Sequence, residues 1–358
     1  MNSLASRCLA LLLAGLAGFS QASCHRSRPG GGEVVVYCST DEEYAVQVFD
    51  RFTRETGIRV SAVYDTESSK TVGLYQRLRA ERRRPQADVF WNAELCRTIQ
   101  LADDGLASDI SRLVPEDLPK KWVDPAGLWA AFGLRARVIV YNTKQVAAAD
   151  APRSLEELTL PRWRGRVVMA NPLFGTTSTH VSALYSTLGE KRAEALLRGL
   201  RDNGVRLVEG NSAVRDLVAH GGAAAGLTDT DDALGGIEDG LPIAFTLPDQ
   251  PCEGSYKPSQ GSPDKILGAF VIPNSVMKVA GGPHLAEADR FVSFLLRPEV
   301  EEILAADRGH HIPVRPGVKR PDALKPFNAL KPMEVDYRQV ATRLPETARR
   351  VEDIFAGR

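Results

Sequence analysis

The strongest constraint on this chain is a rhythm that occurs twice along it: a short, wholly apolar run, then an amphipathic stretch of helix length, then another apolar run. Val34-Val35-Val36-Tyr37 opens the first series. Consecutive apolar residues without polar alternation suit a strand covered on both faces. Asp41 stands at a helix start. Tyr44, Val48, Phe49 and Phe52 follow on one face, and Gly57 is placed to end the helix. Residues 58–64 predict a second strand, about 68–84 a helix, 87–91 a third strand, and 94–104 a helix closed by Gly105. A βαβαβα order calls for parallel strands with helices on both faces.

A second unit follows an irregular stretch containing Pro and Trp. Strands are expected at 137–141, 166–169, 205–208 and 223–227, with helices at 176–188, 191–203, 212–220 and 231–239. Strands at 267–272 and 275–279 and helices at 285–296 and 299–306 complete the core. The fold class is therefore α/β in two lobes. Residues 33–134 make lobe 1, 135–247 make lobe 2, part of 248–313 returns to lobe 1, and 314–358 form a C-terminal extension without an assigned role.

Residues 1–23 read as a secretory signal. Arg7 supplies the positive end, and residues 8–19 form an apolar run of signal-peptide length, too short to span a bilayer. Gln21-Ala22-Ser23-Cys24 resembles a bacterial lipobox with Gln21 in place of the usual Leu, which predicts lipidation of Cys24 and a periplasmic protein tethered to the membrane, with ordinary cleavage near Ala22 or Ser23 as the alternative. Residues 24–32 are polar and Gly-rich, as a tether should be. Beyond Cys24 three cysteines remain: Cys38, Cys96 and Cys252. In an exported protein Cys38 and Cys96, which flank predicted neighbouring strands, are candidates for a disulfide, with buried thiols as the alternative. No Cys/His spacing matches a zinc site.

The chain carries 45 basic and 45 acidic residues, so a nucleic-acid partner, which asks for a basic excess, is not expected. No G-x-S-x-G elbow, HExxH or P-loop occurs, which argues against an enzyme.

In open α/β sheets ligands bind beyond the carboxyl ends of strands. Here those ends carry polar residues that precede predicted helices: Thr40 and Asp41; Thr66 and Glu67; Trp91, Asn92 and Glu94; Gly175, Thr176, Thr177 and Ser178; Asn211 and Ser212; and Thr228, Asp229, Asp231 and Asp232. Helix N-termini present free N–H groups and partial positive charge, so these loops together predict one anion-friendly cleft. Each residue also has a structural alternative. Asp41, Asp231 and Asp232 suit helix caps, and Trp91 suits the core. Arg135 and Arg137 suit either an anionic ligand or a bridge between lobes.

Taken in order, the segments VVVYCSTDEEYAVQVFDRFTRETGIRV (34–60), ADVFW (87–91), RARVIVYNT (135–143), PRWRGRV (161–167), NPLFGTTSTH (171–180), EGNSAVRDLVAHG (209–221) and PEVEEILA (298–305) resemble the solute-binding component of a bacterial ABC importer. The resemblance is to the type II periplasmic binding fold, in the subgroup around ferric-iron-binding proteins. It implies a two-lobed flytrap with a hinge, which closes on a small solute and presents it to a membrane permease without catalysis, as a monomer. Members that bind ferric iron use two adjacent tyrosines on a helix-start loop of the second lobe. Here Asp231 and Asp232 fall at that place, and Asp41 falls where the family's His is expected. On those residues metal is not favoured and no cofactor is expected. The ligand predicted instead is a small phosphonate- or phosphate-type zwitterion or anion, held by 175–178 on one side and by the acidic loop on the other. Ferric iron or another metal, with Asp231 and Asp232 as ligands, stays open as the alternative, as does a sensor domain that transports nothing.

Overall fold

The computed structural model describes residues 31–65, 71–251 and 267–357. The leader, Cys24, Thr66, Glu67 and Cys252 lie outside the described residues. Strand β1 (Glu33–Cys38) leads into α1 (Glu42–Thr56), whose apolar face buries Tyr44, Ala45, Val48, Phe49 and Phe52 and which ends on Gly57 at φ 72°. A left-handed φ is cheap for glycine alone, so the turn into β2 (Arg59–Tyr64) falls there. Then come α2 (Val72–Ala80), β3 (Val89–Asn92), α3 (Cys96–Asp103) and β4 (Ala107–Ser108).

The long strand β5 (Ala130–Asn142) carries the chain out of this unit. It is followed by β6 (Val167–Ala170), α4 (Gly175–Leu188), α5 (Glu190–Asp202), β7 (Arg206–Val208), α6 (Asn211–Ala219), β8 (Ala225–Asp229), α7 (Thr230–Glu238) and β9 (Ile243–Thr246). The chain returns with β10 (Val271–Val279), α8 (Leu285–Leu295), α9 (Pro298–Ala306) and a closing α10 (Tyr337–Phe355).

Strands run in the order β2-β1-β3-β10-β5-β8-β6-β7, with β4 on β10 and β9 on β5. Pairing is parallel among β1, β2 and β3 and among β6, β7 and β8; β10 and β5 are antiparallel to their neighbours. β5 belongs to both halves. Residues 130–136 pair with β10, and Arg137–Tyr141 pair with β8. One continuous strand thus joins the lobes, and Arg135 and Arg137 sit on either side of the crossing.

Two differences from the sequence reading have physical causes. The strands expected at 267–272 and 275–279 are one strand, because the missing N–H of Pro273 is absorbed at a register shift between Pro273 and Ser275. The Cys38–Cys96 disulfide does not form. The two sulfurs are not bonded to each other, and they lie in the cores on opposite faces of the sheet.

On one face of the lobe 1 sheet, Phe52 meets Phe291 at 5.0 Å and Phe294 at 5.3 Å, clamping α1 to α8. On the other, a core that includes Tyr37, Phe90 and Ile99 runs on into lobe 2 through Val181 and Tyr185 and takes in Val340, Leu344 and Ile354 of α10. Residues 314–358 are therefore no appendage. Among the described residues no helix is long and apolar enough to cross a membrane.

Candidate functional site

The site is built on the end of β8. Gly226 lies within this strand where a Cβ would meet Val214 Cγ1 at 2.5 Å and Val168 Cγ1 at 2.8 Å, so its lack of a side chain lets α6 lie close on the sheet. That approach brings the N-terminus of α6 over the last residue of β8, Asp229. Asp229 is fully buried and accepts from Arg137 Nη1 at 2.6 Å, Thr176 Oγ1 at 2.8 Å, Asn211 Nδ2 at 3.0 Å and Arg135 Nη1 at 3.3 Å. Arg137 also donates to Asn211 Oδ1 at 3.1 Å and to Thr176 Oγ1 at 3.3 Å. A buried carboxylate needs partners of this kind to offset its lost hydration. Here the partners fix the first turns of α4 and α6 side by side.

Arg135 reaches the opposite way as well. Its Nη1 donates to Asp231 Oδ2 at 2.9 Å, and its Nη2 to the Ala93 carbonyl of lobe 1 at 2.5 Å. Burial works against the guanidinium charge, but Asp231 and Asp229 outweigh it and hold the group above its ordinary range. Burial pushes the Asp231 carboxyl up, and Arg135 pulls it back.

A cavity of about 30 Å³ opens between the lobes. That is room for a small ion or a water-sized group or two. Asp41, Arg135, Gly175, Thr176, Thr177, Asn211, Asp231 and Asp232, all expected from the sequence, line it. Thr71, Glu209, Phe174 and Asn171 also line it and were not singled out. Their signal was weak: Glu209 and Asn171 flank expected loops, whereas Thr71 arrives only through the tertiary fold.

Among the described residues three polar atoms of the lining are buried without a hydrogen-bond partner: Asp231 Oδ1, Arg135 Nε and Thr177 Oγ1. No side chain caps α4, which starts from Phe174, or α6, which starts from Gly210. The first N–H groups of two helices therefore face the cavity together, an arrangement suited to an oxyanion.

The other expected residues are placed elsewhere. Trp91 is fully buried and packs on Phe132 at 5.4 Å and Phe49 at 5.7 Å. Asn92 donates to Thr98, and Thr40 to Asn274. Glu94 turns back to cap α3, accepting from Cys96 N and Arg97 N at 2.7 Å each. Ser178 donates to the Gly175 carbonyl, and Thr228 to Asp232 and to the Asn211 carbonyl. Ser212 and Asp229 do not line the cavity. Asp41 occupies the N-cap position of α1 but makes no side-chain cap there. His180 stacks on Phe270 at 5.3 Å, and burial with Arg137 nearby holds it neutral. His310 and His311 turn to different partners, Glu238 and the Tyr44 ring.

Residues 100–229 match the family described as bacterial extracellular solute-binding protein. The chain is 27% identical over 301 residues to iron uptake protein A1 of Synechocystis, covering 84% of this chain and 80% of that one. It is 27% identical over 334 residues to the major ferric iron-binding protein of Neisseria meningitidis, covering 91% and 96%. Iron-bound HitA from Pseudomonas aeruginosa superposes with a TM-score of 0.74 at 24% identity, covering 89% of this chain and 99% of that one. This chain has the fold of the type II periplasmic solute-binding proteins. It is similar to the ferric-iron-binding group within that class.

The relatives correct one expectation. The chain was read as favouring no metal because the tyrosine pair is missing, yet its relatives are named for iron and the solved neighbour holds it. The chemical reason is that carboxylate oxygens are hard donors too, so losing phenolates does not remove a hard-cation site. Among the described residues no three His, Cys, Asp or Glu side chains converge closely enough to hold a metal by themselves. The described carboxylates of this chain thus line the cavity without completing a cage.

Proposed function

We propose that this chain captures a hard metal cation, with ferric iron as the leading cargo, together with a small oxyanion, and hands both to an ABC permease. The observation that carries the reading is the balance of formal charge around the cavity. Asp41, Glu209, Asp231 and Asp232 face Arg135, and four carboxylates against one guanidinium leave three negative charges. A trivalent cation matches that lining, and the unpartnered Asp231 Oδ1 is a ready ligand atom. The oxyanion completes the coordination that the protein leaves open, on the N-termini of α4 and α6 with Thr177 Oγ1 and Arg135 Nε as further groups. The relatives' names support iron as the cargo.

A phosphonate- or phosphate-type anion or zwitterion alone is the second reading. It is favoured by the donors Arg135 Nε and Thr177 Oγ1 and opposed by the net negative lining. In both readings the protein is exported, tethered through lipidated Cys24, monomeric, and returns its ligand chemically unchanged.

The test is thermal shift of natively purified protein with ferric citrate, gallium(III) citrate, citrate alone and a phosphonate series, beside elemental analysis. A ligand at a hundredfold excess over its Kd stabilises by about 2.7 kcal/mol. Ferric and gallium citrate should both give the shift, and Asp231→Asn should lose it. Iron should bind without an intense ferric–phenolate band, because among the described residues no tyrosine lines the cavity. A shift with a phosphonate and none with either metal would establish the second reading. No shift with any of them would remove the cavity from the function.

A further inference from the structure

Helix α4 does two things within one turn. Thr176 and Thr177 line the cavity, and Thr179, three residues after Thr176 on the same side of the helix, donates its hydroxyl to Glu94 Oε2 of lobe 1 at 3.1 Å. Both side chains are buried, Thr179 at 2% exposure and Glu94 at 0%. Glu94 does not depend on this bond. Its two oxygens already accept from Cys96 N and Arg97 N, and its carbonyl is held by Ser275 Oγ at 3.1 Å. The hydroxyl of Thr179 has no second partner among the described residues. One side of the contact is thus anchored to lobe 1 in any state, and the other rides on the helix that meets the cargo.

We infer that the Thr179–Glu94 hydrogen bond is a cross-lobe latch, with Thr179 as a positioning residue that sets how long the closed form persists. The inference rests on the reading that cargo sits against the start of α4. A ligand group drawn onto the first turn of α4 moves Thr179 with it, because a helix turn is rigid. The bond to a buried carboxylate then adds to closure, and it breaks when the lobes part. Two other pairs cross between the lobes beside α7, Arg308–Asp239 and His310–Glu238. Both join the C-terminal end of α7, at the opposite end of that helix from Asp231 and Asp232, which line the cavity.

In a population of open and closed forms, apparent affinity scales with the fraction that is binding-competent. Thr179→Val keeps the shape of the side chain and removes the donor, and Thr179→Ser keeps the donor. The experiment measures the radius of gyration of unliganded protein by small-angle scattering, and the release of iron from ferric-citrate-loaded protein to a chelator by stopped flow. The expected result is a larger unliganded radius for Thr179→Val, release about tenfold faster, and wild-type behaviour in Thr179→Ser. A Thr179→Val protein with unchanged radius and release, or one that only melts earlier, overturns the latch. If wild type takes up no ferric citrate, the cargo reading falls, and the radius comparison alone decides the latch: a larger radius supports it and an unchanged one overturns it.

Discussion

Asp229→Asn removes one charge and keeps the side chain's shape, at the point where the site is most tightly built. The carboxylate is fully buried and meets donors on both oxygens: Arg137 at 2.6 Å on Oδ1, and Thr176 at 2.8 Å, Asn211 at 3.0 Å and Arg135 at 3.3 Å on Oδ2. An amide in its place turns its NH₂ toward a donor whichever way it is set. If the NH₂ takes the place of Oδ1, it faces the guanidinium of Arg137, and if it takes the place of Oδ2, it faces three donors. Asp229 is also the only carboxylate in salt-bridge contact with Arg137 among the described residues, so that guanidinium is left buried without a counter-charge. Breaking a buried pair from one side costs about 3–5 kcal/mol. Urea unfolding followed by circular dichroism, without ligand, should show that loss at an unchanged m-value. The double variant Asp229→Asn, Arg137→Met should recover part of it, because it removes the stranded charge. A cost below about 1 kcal/mol, the range of an exposed pair, would refute the claim that this network holds the first turns of α4 and α6 in place.

Two further outcomes are expected. Burial, with Arg137 nearby, holds His180 well below its ordinary pKa, and burial, with Arg135 next, holds His311 at about 3. Between about 3 and the unfolded 6.5 the unfolded chain binds more protons at His311, so stability present above pH 6.5 is lost as pH falls, by about 2 kcal/mol at pH 5, and His180 acts in the same direction. Melting of wild type and His311→Gln at pH 7.5 and pH 5 should show a smaller acid loss in the variant. Equal losses would refute it, and Asp249, which burial raises to about 7 and which acts in the opposite sense, cancels in that comparison. Thr71 lines the cavity at φ 67°, a conformation costing roughly 1–3 kcal/mol for a branched residue. Thr71→Gly should therefore raise the unliganded melting temperature while weakening cargo binding, and a lower melting temperature would show that the strain is not there.

The alternation of strands and helices was legible because both signals are local. A buried strand shows as an apolar run and an amphipathic helix as a 3.6-residue period, and α1 and its Gly57 stop follow directly from them. β5 was read at less than half its length because Gly133, Arg135 and Arg137 interrupt its apolar pattern, and the two arginines are there to serve the junction of the lobes. The site was legible as a set of strand ends, which supplied Asp41, Thr176, Asn211 and Asp231. What pattern could not show is which way each side chain turns. Glu94 and Trp91 occupy equally suitable loop positions and are spent on a cap and on the core. Thr71 and Glu209 reach the cavity only once distant elements meet. Carboxylate chemistry alone admits both metal and zwitterion at the acidic loop, and it is the relatives' names that weigh against the first choice.

The last helix also bears on the order of synthesis. Val340, Leu344, Val351 and Ile354 share a core with Tyr37 of the first strand, and Arg338 and Arg350 tie α10 to Asp103 of lobe 1 and Glu194 of lobe 2. At ribosomal speed, the interval between making Tyr37 and making Ile354 is on the order of tens of seconds. Through all of it the surfaces that α10 will cover, on α3 and α4, stay wet. The core that spans both lobes is completed by α10, so that core stays open until α10 is made, whereas the aromatic core between α1 and α8 needs none of these residues.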